Sequence, residues 1–203
     1  MRADGRGAAV PRPYRRTRVP NVQGLPVGVK TVAVFGGRHP VAGDAEYAEA
    51  VRLGSLLASA NYAVMSGGYS GVMEAVSRGA VQTGGTAIGI TMEIFGELAP
   101  NPFLTHEIRA RDFFERLEIL TSTACGFIAM RGGMGTLTEV SLIWNMLQTR
   151  TMTGKPMILV GRFWKPLLRS VADHLVVSRD ELDLFHYVDD AEEAVSRLQR
   201  HGK

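Results

Sequence analysis

Three apolar runs in this chain lead into paired glycines, and that repeated junction constrains the fold more than any other feature. Residues 31–35 run into Gly36-Gly37, residues 62–65 into Gly67-Gly68, and residues 125–130 into Gly132-Gly133. A short apolar run closed by glycine reads as a strand buried on both faces. The residues after each pair have helical spacing, so each junction is a βα unit. Repeated βα units form a parallel sheet covered by helices. Further strands at residues 86–91 and 156–161, and a short edge strand at 187–188, continue the alternation. Helices are predicted over residues 44–60 (Asp44 as N-cap), 71–81, 108–122, 135–149, 164–177 and 191–200, with a proline-bearing loop at 99–102. The expectation is a single α/β domain: one doubly wound, Rossmann-like parallel sheet with helices on both faces.

Such a sheet binds ligands outside the carboxyl ends of its strands, near the point where strand order reverses. A strand order of 3-2-1-4-5 would carry all three glycine turns to that point. Glycine lets a backbone approach a ligand closely, so Gly36, Gly37, Gly67, Gly68 and Gly71 are candidate contacts. Glu74, at the start of the next helix, is a further candidate, although the helix dipole alone explains an acid there. The richest segment is residues 131–139, Arg-Gly-Gly-Met-Gly-Thr-Leu-Thr-Glu. Gly132, Gly133, Gly135 and Thr136 sit where a strand turns into a helix, a place where free N–H groups and the helix dipole hold phosphate. Glu139 adds a carboxylate in what reads as the first turn of that helix, giving the loop the parts for chemistry as well as binding. Thr136 and Glu139 also fit a capping box, in which the glutamate only bonds back to the helix start.

Several functions are disfavoured by what is missing. No glycine turn has G-x-G-x-x-G spacing, no acid ends the second strand, and no P-loop lysine is present, which disfavours NAD and ATP-hydrolase readings. With four lysines and no recognisable Schiff-base setting, a pyridoxal-phosphate decarboxylase has no support. His39 and His106 have no metal-ligand partners at useful spacing, so neither metal nor cofactor is predicted. The single cysteine, Cys125, reads as a core residue, forms no internal disulfide, and fits a reducing cytoplasm. No apolar run approaches the roughly 18–20 residues that span a bilayer.

The net charge of +3 is unevenly placed. Residues 1–28 hold six arginines and one aspartate, a net of +5, so residues 29–203 carry −2. Four prolines and four glycines in that basic arm predict disorder, and its charge offers a contact to nucleic acid or an acidic partner. A mildly acidic body argues against a nucleic-acid footprint on the domain itself.

Residues 132–139 resemble the PGGxGTxxE signature of the LOG family, named after the plant "lonely guy" cytokinin-activating proteins and often mislabelled lysine decarboxylases. Residues 67–76, Gly-Gly-Tyr-Ser-Gly-Val-Met-Glu-Ala-Val, are similar to the family's second glycine block, and Val34-Phe35-Gly36-Gly37 resembles its first strand and turn. The likeness covers residues 31 to 161. It implies a nucleoside 5′-monophosphate phosphoribohydrolase that releases a base (from AMP or an N6-modified, cytokinin-type AMP) and ribose 5-phosphate. It also implies a homodimer with sites near the interface. A family arginine fifteen residues ahead of the signature's first position falls on Arg116, which the resemblance pairs with Glu139 for catalysis.

Other readings of the same residues stand beside these. Arg116 lies among Asp112, Glu115 and Glu118, where a surface ion pair explains it. Met65, Met73, Met130 and Met134 fit either an apolar wall for a base or core filler. The stripe Val140, Ile143, Trp144 and Leu147 suits packing on the sheet or on a second subunit, and Trp144 and Trp164 read as core or interface residues. The family's opening proline is Arg131 here, and Arg38 replaces its usual serine. Arg131 is placed to strengthen phosphate binding or to pair with Glu139 and weaken catalysis. It is the feature that favours a non-catalytic nucleotide sensor or pterin-type cofactor carrier on the same fold.

Overall fold

A computed structural model of the protein describes residues 28–93 and 98–201. The chain runs β1 (Lys30–Phe35), α1 (Ala45–Ser59), β2 (Tyr62–Ser66), α2 (Val72–Gln82), β3 (Ala87–Met92), β4 (His106–Ala110), α3 (Phe113–Thr123), β5 (Gly126–Ala129), α4 (Met134–Gln148), β6 (Met157–Val160), α5 (Trp164–His174), α6 (Arg179–Leu182), β7 (Phe185–Val188) and α7 (Ala191–His201). The basic arm expected at residues 1–28 lies, apart from Gly28, outside the described residues.

The strands form one sheet in the order β4-β3-β2-β1-β5-β6-β7, every neighbouring pair parallel. Its centre, β3-β2-β1-β5-β6, is the order expected from the sequence. Side chains alternate between the faces of a strand, so each central strand feeds two cores. On one face Phe35, Met65, Ile88, Phe127 and Leu159 pack with Leu120 of α3, Ile143 of α4 and Leu168 of α5. On the other, Val34, Val64, Ile128 and Ile158 pack with Leu53 and Leu57 of α1, Val76 of α2 and Leu198 of α7. Burial on both sides explains why these strands read as unbroken apolar runs.

The sequence reading misses one element. Residues 108–122 were expected as one helix, yet His106–Ala110 is edge strand β4, pairing Ile88 with His106 through Met92 with Ala110. An edge strand has one wetter face, and its burial alternates accordingly. Helix α3 then begins at Phe113 because Asp112 caps it, its carboxylate accepting the Glu115 N–H at 2.9 Å. The predicted helix over 164–177 ends at His174, and a separate capping box, Ser178 with Glu181, starts the four-residue α6. Trp164 is buried in the core, whereas the Trp144 indole donates to the Glu181 carbonyl at 2.8 Å and ties α6 to α4. Cys125 is only partly buried.

Helices α1 and α2 meet through two glycines. A Cβ at residue 79 would lie 1.9 Å from the Val51 carbonyl oxygen, and one at residue 54 would lie 2.1 Å from that of Val76. Gly79→Ala is therefore expected to cost about 1–3 kcal/mol through overpacking. Urea unfolding checks this, and an unchanged midpoint would contradict the contact.

Candidate functional site

The order reverses between β1 and β5, so the turns beyond these strands face each other at the carboxyl edge. They are joined there: the Gly37 N–H donates to the Arg131 carbonyl at 2.9 Å, and the Val72 N–H to the Gly37 carbonyl at 2.8 Å. Gly71 makes the second bond possible. Its φ is +74°, and a Cβ there would stand 2.3 Å from the Gly37 oxygen. Gly71 therefore closes the scaffold beneath the site, and Gly68 is likewise bonded, its carbonyl accepting the Asn101 N–H at 2.9 Å.

A cavity of about 370 Å³ opens above these turns. Of the residues proposed from sequence, Gly36, Gly37, Gly67, Gly133, Gly135, Thr136, Arg116 and Glu139 line it, while Gly68, Gly71, Gly132 and Glu74 do not. Glu74 instead accepts the Tyr47 hydroxyl at 2.8 Å. A Cβ at Gly132 would meet the Thr136 hydroxyl oxygen at 2.1 Å, so this glycine serves the fit of the turn.

Helix α4 starts at Met134 with Gly133 as N-cap and no side chain capping it. Its leading N–H groups have no partner within the helix, and they carry the positive end of its dipole. Residues 133 and 135 have open space above them. An uncapped helix start beside open space has the donors and the dipole to receive an anion. This helix start also removes the capping-box reading: Thr136 is inside the helix rather than at its cap, and Glu139 lies in the second turn, not the first. The Thr138 hydroxyl bonds back to the Met134 carbonyl at 2.8 Å.

Arg116 is buried, with 8% exposure, which overturns its reading as a surface ion pair. That pairing is made by its neighbour, Arg111 with Glu115 at 3.0 Å. The Arg116 side chain crosses from α3 to the ends of β2 and β3, where Nη1 donates to the Gly67 carbonyl at 2.9 Å and to the Ile90 carbonyl. Gly67 makes room for it, since a Cβ there would lie 2.0 Å from Nη2. With Nη1 committed to the backbone, Nη2 faces the Glu139 carboxylate at 3.9 Å. Glu139 is equally buried, and desolvation raises its pKa to about 7 although Arg116 pulls it down. A carboxyl poised near neutrality beside a fixed cation, in a cavity that also holds an uncapped helix start, is equipped for acid–base work.

Arg131 does not enter this cavity and does not pair with Glu139. Its guanidinium lies 5.9 Å from the Phe163 ring centroid, and its charge is felt by Glu46. The methionines divide: Met73 and Met134 line the cavity, whereas Met65 and Met130 are core. Sequence reasoning missed Arg38, His39, Tyr69, Met92, Leu98 and Phe113, which also line it. Two signals were available. Arg38 and Tyr69 occupy the glycine turns already singled out, and Phe113 stands three residues before Arg116 on the same helix face. Among the described residues no group of three or more His, Cys, Asp or Glu is placed to hold a metal ion. No described helix is long and apolar enough to cross a membrane.

Comparison with known proteins places the chain in a family and finds its fold in other proteins. A cytokinin riboside 5′-monophosphate phosphoribohydrolase of Rhodococcoides fascians is 30% identical over 155 residues, covering 73% of this chain and 76% of that protein. A pyrimidine/purine nucleotide 5′-monophosphate nucleosidase of Escherichia coli is 29% identical over 195 residues, covering 89% of this chain and 43% of that longer one. The molybdenum cofactor binding protein of Rippkaea orientalis shares the fold, with a TM-score of 0.70 at 22% identity over 88% of this chain and all of that one. A family model described as "Possible lysine decarboxylase" matches residues 73–198. The chain belongs to that family, the LOG family.

Proposed function

We propose that the protein hydrolyses the N-glycosidic bond of nucleoside 5′-monophosphates, AMP or an N6-modified AMP among them, to a free base and ribose 5-phosphate. The observation that carries this reading is Glu139, a buried carboxyl with its pKa near 7, set beside Arg116 and one helical turn from the uncapped start of α4. The 5′-phosphate belongs at the N–H groups of residues 134–136. The ribose then lies between Nη2 of Arg116 and the Glu139 carboxylate. As the C1′–N bond weakens, positive charge builds on the sugar and the carboxylate opposes it. Glu139 takes a proton from the attacking water as the water oxygen bonds to C1′. The departing base keeps the bonding pair and is protonated on nitrogen by solvent.

The base falls against Met73, Met92, Leu98, Phe113 and Met134. Among the described residues, no asparagine, glutamine or aspartate lines the cavity to read a base edge. Apolar contact of this kind suits a substituted purine and tolerates several bases. The names of the two enzyme relatives are consistent with either. We further propose a homodimer. Met134 of the cavity lining is 75% exposed, and Phe114, 81% exposed, packs against Phe113 of the same lining; these two apolar side chains are offered to a second copy. Arg131 lies outside the cavity, in a neighbouring recess it shares with Gly132 and Gly133, and the carrier reading is supported by the fold likeness to the cofactor-binding protein rather than by a charge inside the cavity.

Free base released from AMP and N6-benzyl-AMP, measured by chromatography, tests the proposal directly. Glu139→Gln is expected to lower kcat by about 10²–10⁴-fold, the range of a lost general base. Full activity in that variant, or no release from either nucleotide, would refute it. Activity of the wild type is expected to rise with pH through about 7, as Glu139 becomes the carboxylate.

Stability should follow the opposite course. The folded state favours neutral Glu139, so its contribution is whole below the unfolded value of 4.5 and is lost as pH rises through about 7. The loss amounts to at most about 3–4 kcal/mol, from roughly 1.4 kcal/mol per pK unit over the shift from 4.5 to about 7. Urea melts between pH 5 and 8.5 should show this decline in the wild type and not in Glu139→Gln. Parallel declines would place the titration elsewhere.

A further inference from the structure

Arg116 is aimed by two backbone carbonyls that belong to different strand ends: Gly67 just past β2, and Ile90 within β3. Nothing in the guanidinium itself sets how far apart those carbonyls stand. The parallel ladder sets it as far as Ser66 opposite Gly89, and two residues beyond each carbonyl a side-chain contact carries the tie past the end of β2. The Met92 N–H donates to the Tyr69 hydroxyl at 2.9 Å, so one phenol spans the ends of β2 and β3. Its ring centroid lies 6.0 Å from Cζ of Arg116, within reach of a cation–π contact. The backbone end of Tyr69 is fixed as well: buried Asn101 donates its side-chain amide to the Tyr69 carbonyl at 3.2 Å and its N–H to the Gly68 carbonyl at 2.9 Å.

We propose that Tyr69 is the positioning residue for Arg116. Its hydroxyl ties β2 to β3 at the spacing that both carbonyl contacts need, and its ring carries the guanidinium so that Nη2 is presented to Glu139 and the sugar. For its kinetic consequence the inference rests on the hydrolase reading. Tyr69 also lines the cavity, and a residue that merely stacked on the base would act on KM and independently of Arg116.

A double-mutant cycle separates these roles, with Tyr69→Phe, Tyr69→Leu and Arg116→Ala measured singly and combined on AMP hydrolysis. Tyr69→Phe should lower kcat by about 3–10-fold and Tyr69→Leu by about 100-fold, with KM changed less than about 3-fold. In the Arg116→Ala background either tyrosine variant should change kcat by less than about 2-fold, because positioning has nothing left to position. Melting curves verify that each variant is folded, and Tyr69→Phe carries the cycle if Tyr69→Leu is not. Losses that multiply in the double variant, or a loss confined to KM, would overturn the proposal. A crystal structure of the folded tyrosine variant gives a readout that does not depend on turnover: Arg116 should leave the Gly67 or the Ile90 carbonyl, and retention of both contacts overturns the inference. If the wild type releases no base at all, the hydrolase reading fails and the crystal structure alone decides the role of Tyr69.

Discussion

The reversal of strand order between β1 and β5 governs everything at the carboxyl edge of this sheet. Where neighbouring strands send their connections in opposite directions, the turns beyond them cannot pack over one another, and a crevice opens. Backbone hydrogen bonds then fix its floor. Gly37 is bonded to Arg131 on one side and to Val72 on the other, which locks the turns after β1 and β5 and the start of α2 into one unit. No long side chain takes part in these bonds. The cavity is thus built on the least adaptable material in the molecule, and its variable parts stand on that base.

On this floor two ionisable groups are buried together, and their environments pull in different directions. Arg116 has exchanged water for two carbonyl oxygens, so its charge is solvated by the protein itself. Among the described residues Glu139 has no such compensation beyond a guanidinium nitrogen 3.9 Å away, and burial drives its carboxyl toward the neutral form. A fully formed ion pair would have held Glu139 as an inert carboxylate. The looseness of the contact is what leaves it able to exchange a proton near neutrality.

Much of this was legible in the sequence, for identifiable reasons. Strands buried on both faces announce themselves as apolar runs, and the glycine pairs mark the turns that must pass close to one another. Arg116 and Glu139 were found by register with a family signature, not by spacing, because their neighbours suggested an ion pair and a helix cap. Both local readings fail because of tertiary contacts: α3 turns Arg116 inward to carbonyls some 26 and 49 residues distant in the chain, and α4 begins at Met134 rather than Thr136. Strand β4 was hidden because an edge strand with one wetter face mimics the start of the helix that follows it. Glu74, Gly68, Gly71 and Gly132 look like ligand contacts in sequence, since a glycine needed by the scaffold and one needed by a ligand leave the same mark.

The Gly67 position carries one more consequence. The space that a methyl group would occupy at residue 67 is already filled by the guanidinium of residue 116. The two positions are therefore coupled across 49 residues of chain: any side chain at 67 would push the guanidinium off the place from which it reaches both carbonyls. The smallest residue in the turn is what gives the buried cation its berth.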